Sequence, residues 1–124
     1  MTDGNPLART DSLDELRDAL RAFAAEREWE RFHSPKNLAS ALIVEAAELL
    51  EPFQWLGEEA SHRLEPDALD HVRDELADVL LYLVRLADVL GVDLREAARR
   101  KLLVNAKKYP VDRARGSARK YDAG

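Results

Sequence analysis

The sequence predicts an all-α protein of four helices joined by short loops. Apolar residues recur at three- and four-residue steps through four segments, no stretch alternates as a half-buried strand would, and capping residues, proline and glycine mark the segment ends. The first helix is expected from about Ser12 to Glu30, because Thr10-Asp11-Ser12 offers an N-cap and Leu13, Leu16, Leu20, Phe23 and Ala24 share one face. In His33-Ser34-Pro35 the serine can cap and the proline can take the first helical position. A second helix then runs through Leu38, Leu42, Glu45 and Leu49 to about Pro52 or Trp55, followed by a polar loop from Gly57 to Pro66. Pro66-Asp67 opens a third helix that reaches Leu90 and stops at Gly91. Asp93 caps a fourth, Leu94 to about Lys108, which Tyr109-Pro110 closes.

The third helix is unusual. Val72, Leu76, Val79, Leu80, Leu81, Leu83, Val84, Leu86, Val89 and Leu90 surround more than half of its circumference. Such a helix must be covered on several sides, and three companions of this length are too few to do so. The four-helix protomer is therefore expected to assemble into a helical-bundle homo-oligomer, with the third helix near the interface.

A length of 124 residues, 46% hydrophobic and 35% charged, suits one folded domain over 1–124, with a polar N-terminal segment 1–11 and a basic arm 111–124. The formal net charge of −5 hides an asymmetry. Between Arg99 and Lys120 there are nine basic residues and one acid, a net of +8; ten basic and 23 acidic residues remain elsewhere, a net of −13. This pattern suggests cation binding in the body and phosphate binding near the arm. The absence of cysteine excludes a disulfide framework, a thiolate metal site and a catalytic thiol, and fits a reducing cytoplasm. The longest apolar run, Val79 to Val84, is far short of the roughly 18 residues of a membrane span. A cytoplasmic protein without a membrane partner is expected.

Four acids carry the chemistry. On a helical wheel Glu45 falls between Ala41 and the Leu38/Leu49 pair, inside the apolar arc of the second helix, with Glu48 on its flank. Glu75 falls between Tyr82 and Leu86 on the third helix, and Asp78 lies beside Arg85 and Val89. Two helices thus present E-x-x-E and E-x-x-D pairs from apolar surroundings. Desolvation and mutual repulsion oppose ionisation of such a group, so the four require a cation. With oxygen donors alone, the fitting ion is hard and octahedral: Mg²⁺, or Mn²⁺ in its place. Mg²⁺ shares its coordination with substrate phosphates, which points to phosphate chemistry.

The stretch Trp29 to Leu38, then Glu45-Ala46-Ala47-Glu48, Phe53-Gln54-Trp55, Glu75 to Tyr82, and Lys101, Asn105 and Lys108-Tyr109-Pro110 resembles the MazG-like nucleotide pyrophosphohydrolases, and within them the dCTP pyrophosphatase branch. The similarity covers roughly Leu13 to Tyr121. It implies an all-α fold, a homotetramer built as a dimer of dimers, and Mg²⁺-dependent hydrolysis of a nucleoside triphosphate to monophosphate and pyrophosphate. Carried over by position, the resemblance implies that Glu45, Glu48, Glu75 and Asp78 bind Mg²⁺ and that one of them also polarises the attacking water. Lys101, Asn105 and Lys108, which share a face of the fourth helix, would meet the phosphates together with Tyr109. Trp29 and Trp55 would wall the base, with His33 contributing part of the contact. His33 also suits a place at the start of the second helix, and His62 and His71 are expected to be exposed. One departure stands out: Leu20 occupies a first-helix position where members that read cytosine closely carry a histidine, and leucine can pack against a base but cannot hydrogen-bond it.

Two other readings fit parts of the sequence. A broad housecleaning hydrolase would act on modified or non-standard nucleotides. A non-enzymatic helical module would bind an acidic partner through its basic arm, against which stands the negative overall charge that repels nucleic acid.

Overall fold

The computed structural model describes residues 9–118, which form helices α1 (Leu13–Glu26), α2 (Pro35–Leu50), α3 (Glu58–Ser61), α4 (Pro66–Val89), α5 (Leu94–Lys108) and α6 (Val111–Ala114), with a 3₁₀ turn at Glu30–Phe32. No strand occurs among the described residues. Residues 1–8 of the expected N-terminal segment, and Arg119, Lys120 and Tyr121 of the expected arm, lie outside them. α4 and α5 stand where the periodicity puts them, α2 starts at Pro35 as expected but gives way to turns after Leu50, short of the expected Pro52 or Trp55, and α3 adds one helical turn inside the expected polar loop. No helix is long and apolar enough to cross a membrane among the described residues.

The caps follow local chemistry. Ser12 accepts from the Glu15 amide at 3.1 Å, while the Glu15 carboxylate accepts from the Asp11 amide at 2.9 Å. Ser34 accepts from the Asn37 amide, Pro35 opens α2, and Asp93 accepts from the Glu96 amide. At the end of α4 the Gly91 amide bonds Asp88 O and the Val92 amide bonds Ala87 O, with Gly91 at φ 70°. This is the 5→2 and 6→1 pairing of a Schellman stop.

The end of α1 departs from the sequence expectation. The helix stops at Glu26, four residues before Glu30, through the same stop: the Glu28 amide bonds Ala25 O, the Trp29 amide bonds Ala24 O, and Glu28 stands at φ 54°. A glutamate in the left-handed region offers no glycine to announce the stop. Its consequence is positional. The reversal swings Trp29 back against Phe23, edge to face with centroids 5.7 Å apart.

The chain forms two compact units, 1–92 and 93–124. In the first, α4 is the central helix and packs against α2 along much of its length and against α1 more sparingly. Ala19 and Ala24 of α1, Leu38 of α2, and Val72, Val84 and Ala87 of α4 are buried there. Small residues on α1 let it approach α4 closely, and Leu38, 2% exposed, fills the seam between α2 and α4. Leu76, Leu80, Leu83 and Val89 of α4, and Leu90 at its C-cap, remain exposed, so the apolar circumference read from the sequence is covered only in part within one chain. The second unit holds α5 and α6, and there Leu102, Leu103 and Val104 are exposed.

Two substitutions test this account. Leu38→Ala is expected to lower unfolding stability by about 2–4 kcal/mol through lost burial and a residual cavity. Glu28→Gly is expected to raise it by about 0.5–1 kcal/mol by relieving the left-handed backbone. Urea unfolding of each variant measures both, and a destabilising Glu28→Gly would contradict the assigned stop.

Candidate metal and nucleotide site

The α2–α4 seam that buries Leu38 also carries the acids. Glu45 and Glu48 sit one turn apart on α2, half-buried, and Glu75 on α4 is 7% exposed. One carboxylate oxygen from each lies within 4.8 Å of the others. Asp78, half-buried one turn beyond Glu75, neighbours both Glu45 and Glu75. The four acids singled out by spacing are thus brought together, with Glu45, Glu48 and Glu75 as the tight set.

Their electrostatics are those of a site short of positive charge. Lost hydration, hydrogen bonds with Glu48 and Asp78, and repulsion from Glu48 and Glu75 push the Glu45 carboxyl up to about 7. Lost hydration and repulsion from Glu48 raise Glu75 as well, partly opposed by His71, whose Nε2 stands 3.9 Å from Glu75 Oε1. Glu75 Oε2 is buried with no hydrogen-bond partner. A buried carboxylate oxygen left unsatisfied beside two further carboxylates fits a hard divalent cation: the donors are all oxygen, and a cation would supply both the missing partner and the missing charge. His62 and His71 are exposed, as expected.

Beside the acids lies a cleft of about 190 Å³ whose walls include Leu20 and Phe23 of α1, Trp29, His33, and Leu81 and Tyr82 of α4. Asp78 belongs both to this lining and to the acid group. Trp29 and His33 thus line one cleft together. Trp55 is not in the lining; it lies in the run of turns that follows α2 and is 88% exposed. His33 closes the 3₁₀ turn and accepts a hydrogen bond from Arg85 Nε at 3.0 Å through Nδ1. Burial and the Arg85 charge hold its pKa below the ordinary histidine value.

Arg85 is the site residue that the spacing argument leaves out. It is 8% exposed, lines the cleft, and bonds Asp88 Oδ2 at 3.2 Å, while Arg21 of α1 holds Asp88 with a bond of 2.5 Å to Oδ1 and one of 3.1 Å to Oδ2. The two guanidinium groups keep Asp88 below the usual carboxylate range. The available signal was an arginine on the same stripe of α4 as Asp78, set between Val84 and Leu86.

In the second unit, Lys101 is exposed on α5, Asn105 and Lys108 are half-buried, and the Asn105 carbonyl accepts from the Tyr109 amide at 2.8 Å. The basic and polar face expected of this helix is present.

A profile of the MazG-like family matches residues 41–123. Over 112 residues the chain is 45% identical to dCTP pyrophosphatase 1 of Homo sapiens and 45% identical to that of Rattus norvegicus, covering 89% of this chain and 66% of each relative. The chain thus spans just under two thirds of the length of these curated relatives. The solved structure of a pyrophosphatase from Archaeoglobus fulgidus superposes with a TM-score of 0.75 at 41% identity, covering 82% of this chain and 95% of that one.

The raised Glu45 carboxyl predicts a pH dependence. In the folded protein it holds its proton to about 7, whereas in the unfolded chain it releases it at about 4.5. Between these values the native state binds more protons, so stability falls as pH rises. Melting of the metal-free protein is expected to weaken from pH 4.5 to 7, and Glu45→Gln to flatten the profile. A divalent cation should restore stability more at pH 8 than at pH 5, and equal stabilisation at both would contradict carboxylate ligation.

Proposed function

From the premise that this chain belongs to the MazG-like family, we propose that it is a Mg²⁺-dependent nucleoside triphosphate pyrophosphohydrolase. It cleaves between the α and β phosphorus atoms to give monophosphate and pyrophosphate, and serves in nucleotide-pool housecleaning. The observation that carries the proposal is the Glu45, Glu48 and Glu75 cluster joined through Asp78 to a cleft large enough for one base. The name of the relatives, dCTP pyrophosphatase 1, supports cytosine nucleotides as substrates.

In this reading Glu45, Glu48, Glu75 and Asp78 hold the cation. When bound it offsets the charge of the triphosphate, which the acidic body would otherwise repel. One carboxylate of the set takes a proton from the attacking water. Lys101, Asn105, Lys108 and Tyr109 bind phosphate oxygens as charge-assisted or neutral donors. Trp29 and His33 wall the base, and Trp55 reaches it only from a second copy of the chain or after rearrangement of its turn.

The partner besides substrate is a second copy of the chain, in a tetramer built as a dimer of dimers. The exposed leucines of α4 supply the surface for it.

Two experiments test these readings. Glu48→Gln or Glu75→Gln is expected to lower pyrophosphate release at least 100-fold while circular dichroism and metal-free melting stay near wild type, since each change removes a ligand and relieves repulsion. Retained turnover, or a melting loss of several degrees, would make these acids structural. Leu83→Glu is expected to shift the sedimentation coefficient to a smaller species or to prevent folding, and a wild-type protein that sediments as a monomer would refute the assembly.

A further inference from the structure

The cleft beside the acids contains a feature that the hydrolytic reaction does not use. Its walls are apolar, yet a guanidinium sits among them, on a residue 8% exposed. A desolvated cation needs partners for its donors. Within the chain, Arg85 Nε donates to His33 Nδ1 and Nη1 donates to Asp88 Oδ2. Asp88 also takes both bonds from Arg21, so its single negative charge is divided between two guanidinium groups. Nη2 of Arg85 makes no hydrogen bond among the described residues.

Resting on the hydrolase reading, we propose that Arg85 is a specificity-determining residue whose guanidinium donates to an oxo group of the nucleobase in the cleft and disfavours adenine.

Four observations converge on this. First, the volume of about 190 Å³ is below the roughly 300–1,000 Å³ of pockets that enclose whole ligands, so it takes one ring system and leaves sugar and phosphates outside. Second, Asp78 joins the cleft to the acid cluster, which puts the phosphates of a bound nucleotide at the acids. Third, Arg85 and His33 offer donors to the cleft, while the carboxylate in its lining, Asp78, belongs to the acid group. His33 Nδ1 accepts from Arg85, which leaves Nε2 as the ring nitrogen that carries the proton. Leu20 supplies apolar contact alone. Cytosine, uracil and guanine offer a carbonyl oxygen to such donors, whereas adenine has none and carries an amino group, itself a donor. Fourth, the tie between α1 and α4 is already made by Arg21 and Asp88, so the fold does not require a second cation there.

Arg85→Met and Arg85→Lys provide the test, with kcat and KM measured for dCTP, dUTP and dATP and with dCMP and dAMP binding measured by calorimetry. Wild type is expected to prefer dCTP and dUTP. Arg85→Met should lower kcat/KM for these two about 10- to 100-fold, mainly through KM, and change dATP by less than about threefold. Arg85→Lys should recover part of the loss, and Arg21→Met should lower the melting temperature without altering the ratio between bases. Equal losses on all three substrates, or an unchanged ratio, would overturn the proposal and leave Arg85 a packing residue. Should Arg85→Met fail to fold, the base ratio of Arg85→Lys decides in the same sense. A wild type that hydrolyses no triphosphate would end the hydrolase reading, and the monophosphates then judge Arg85 alone. A preference for dCMP over dAMP that Arg85→Met abolishes supports the assignment, and the lack of any preference refutes it.

Discussion

Everything in the first unit is arranged around carboxylates gathered where two helices pack. Placing Glu45, Glu48 and Glu75 with oxygens within 4.8 Å opposes folding, because each loses hydration and each repels the others. The helices hold this position because apolar contacts on either side outweigh it: Leu38 from α2 and Val72 and Val84 from α4 bury the same seam. A rigid helical frame is what keeps such a cluster together. Side chains on loops would swing apart, whereas acids three residues apart on packed helices cannot separate without unwinding a turn.

The cleft depends on a different device. Its tryptophan is positioned by the stop of α1, where Glu28 takes a left-handed conformation and sends the chain back across Phe23. Its α1 wall is fixed to α4 by Arg21 and Asp88, a pair in which Asp88 is largely shielded and is held below its ordinary value by the guanidinium charge. Arg85 and His33 extend that pair into the cleft. Asp78 then couples the two halves, since it is simultaneously a wall of the cleft and a neighbour of Glu45.

Sequence legibility divides along the same line. The acid site could be read because its logic is local: i, i+3 pairs on an apolar arc define a direction, and two such arcs must face each other if both are to be covered. The start of α2, the end of α4 and the start of α5 were legible through Ser34-Pro35, Gly91 and Asp93. The end of α1 was not, since the stop falls on a glutamate where the rule expects glycine. The Arg85–His33 bond spans 52 residues, a pairing that no periodicity encodes. Trp55 shows a further limit: a motif assigns it a role by position, while the isolated chain leaves its ring in solvent.

The apolar surface completes the physical picture. Leu38 is the largest side chain fully buried among the described residues, while Leu76, Leu80 and Leu83 on α4 and Leu102 and Leu103 on α5 are exposed. Small domains bury a modest fraction of their surface even when every apolar group is used, so leaving these leucines in water forfeits stabilisation that the acid cluster makes scarce. Covering them with further copies of the chain would add burial on the flanks of α4, the helix that also carries Glu75, Asp78 and Arg85. Assembly would then stiffen the frame that holds the carboxylates together and the guanidinium in its cleft, and the stability lost to the site would be recovered on the opposite side of the same helix.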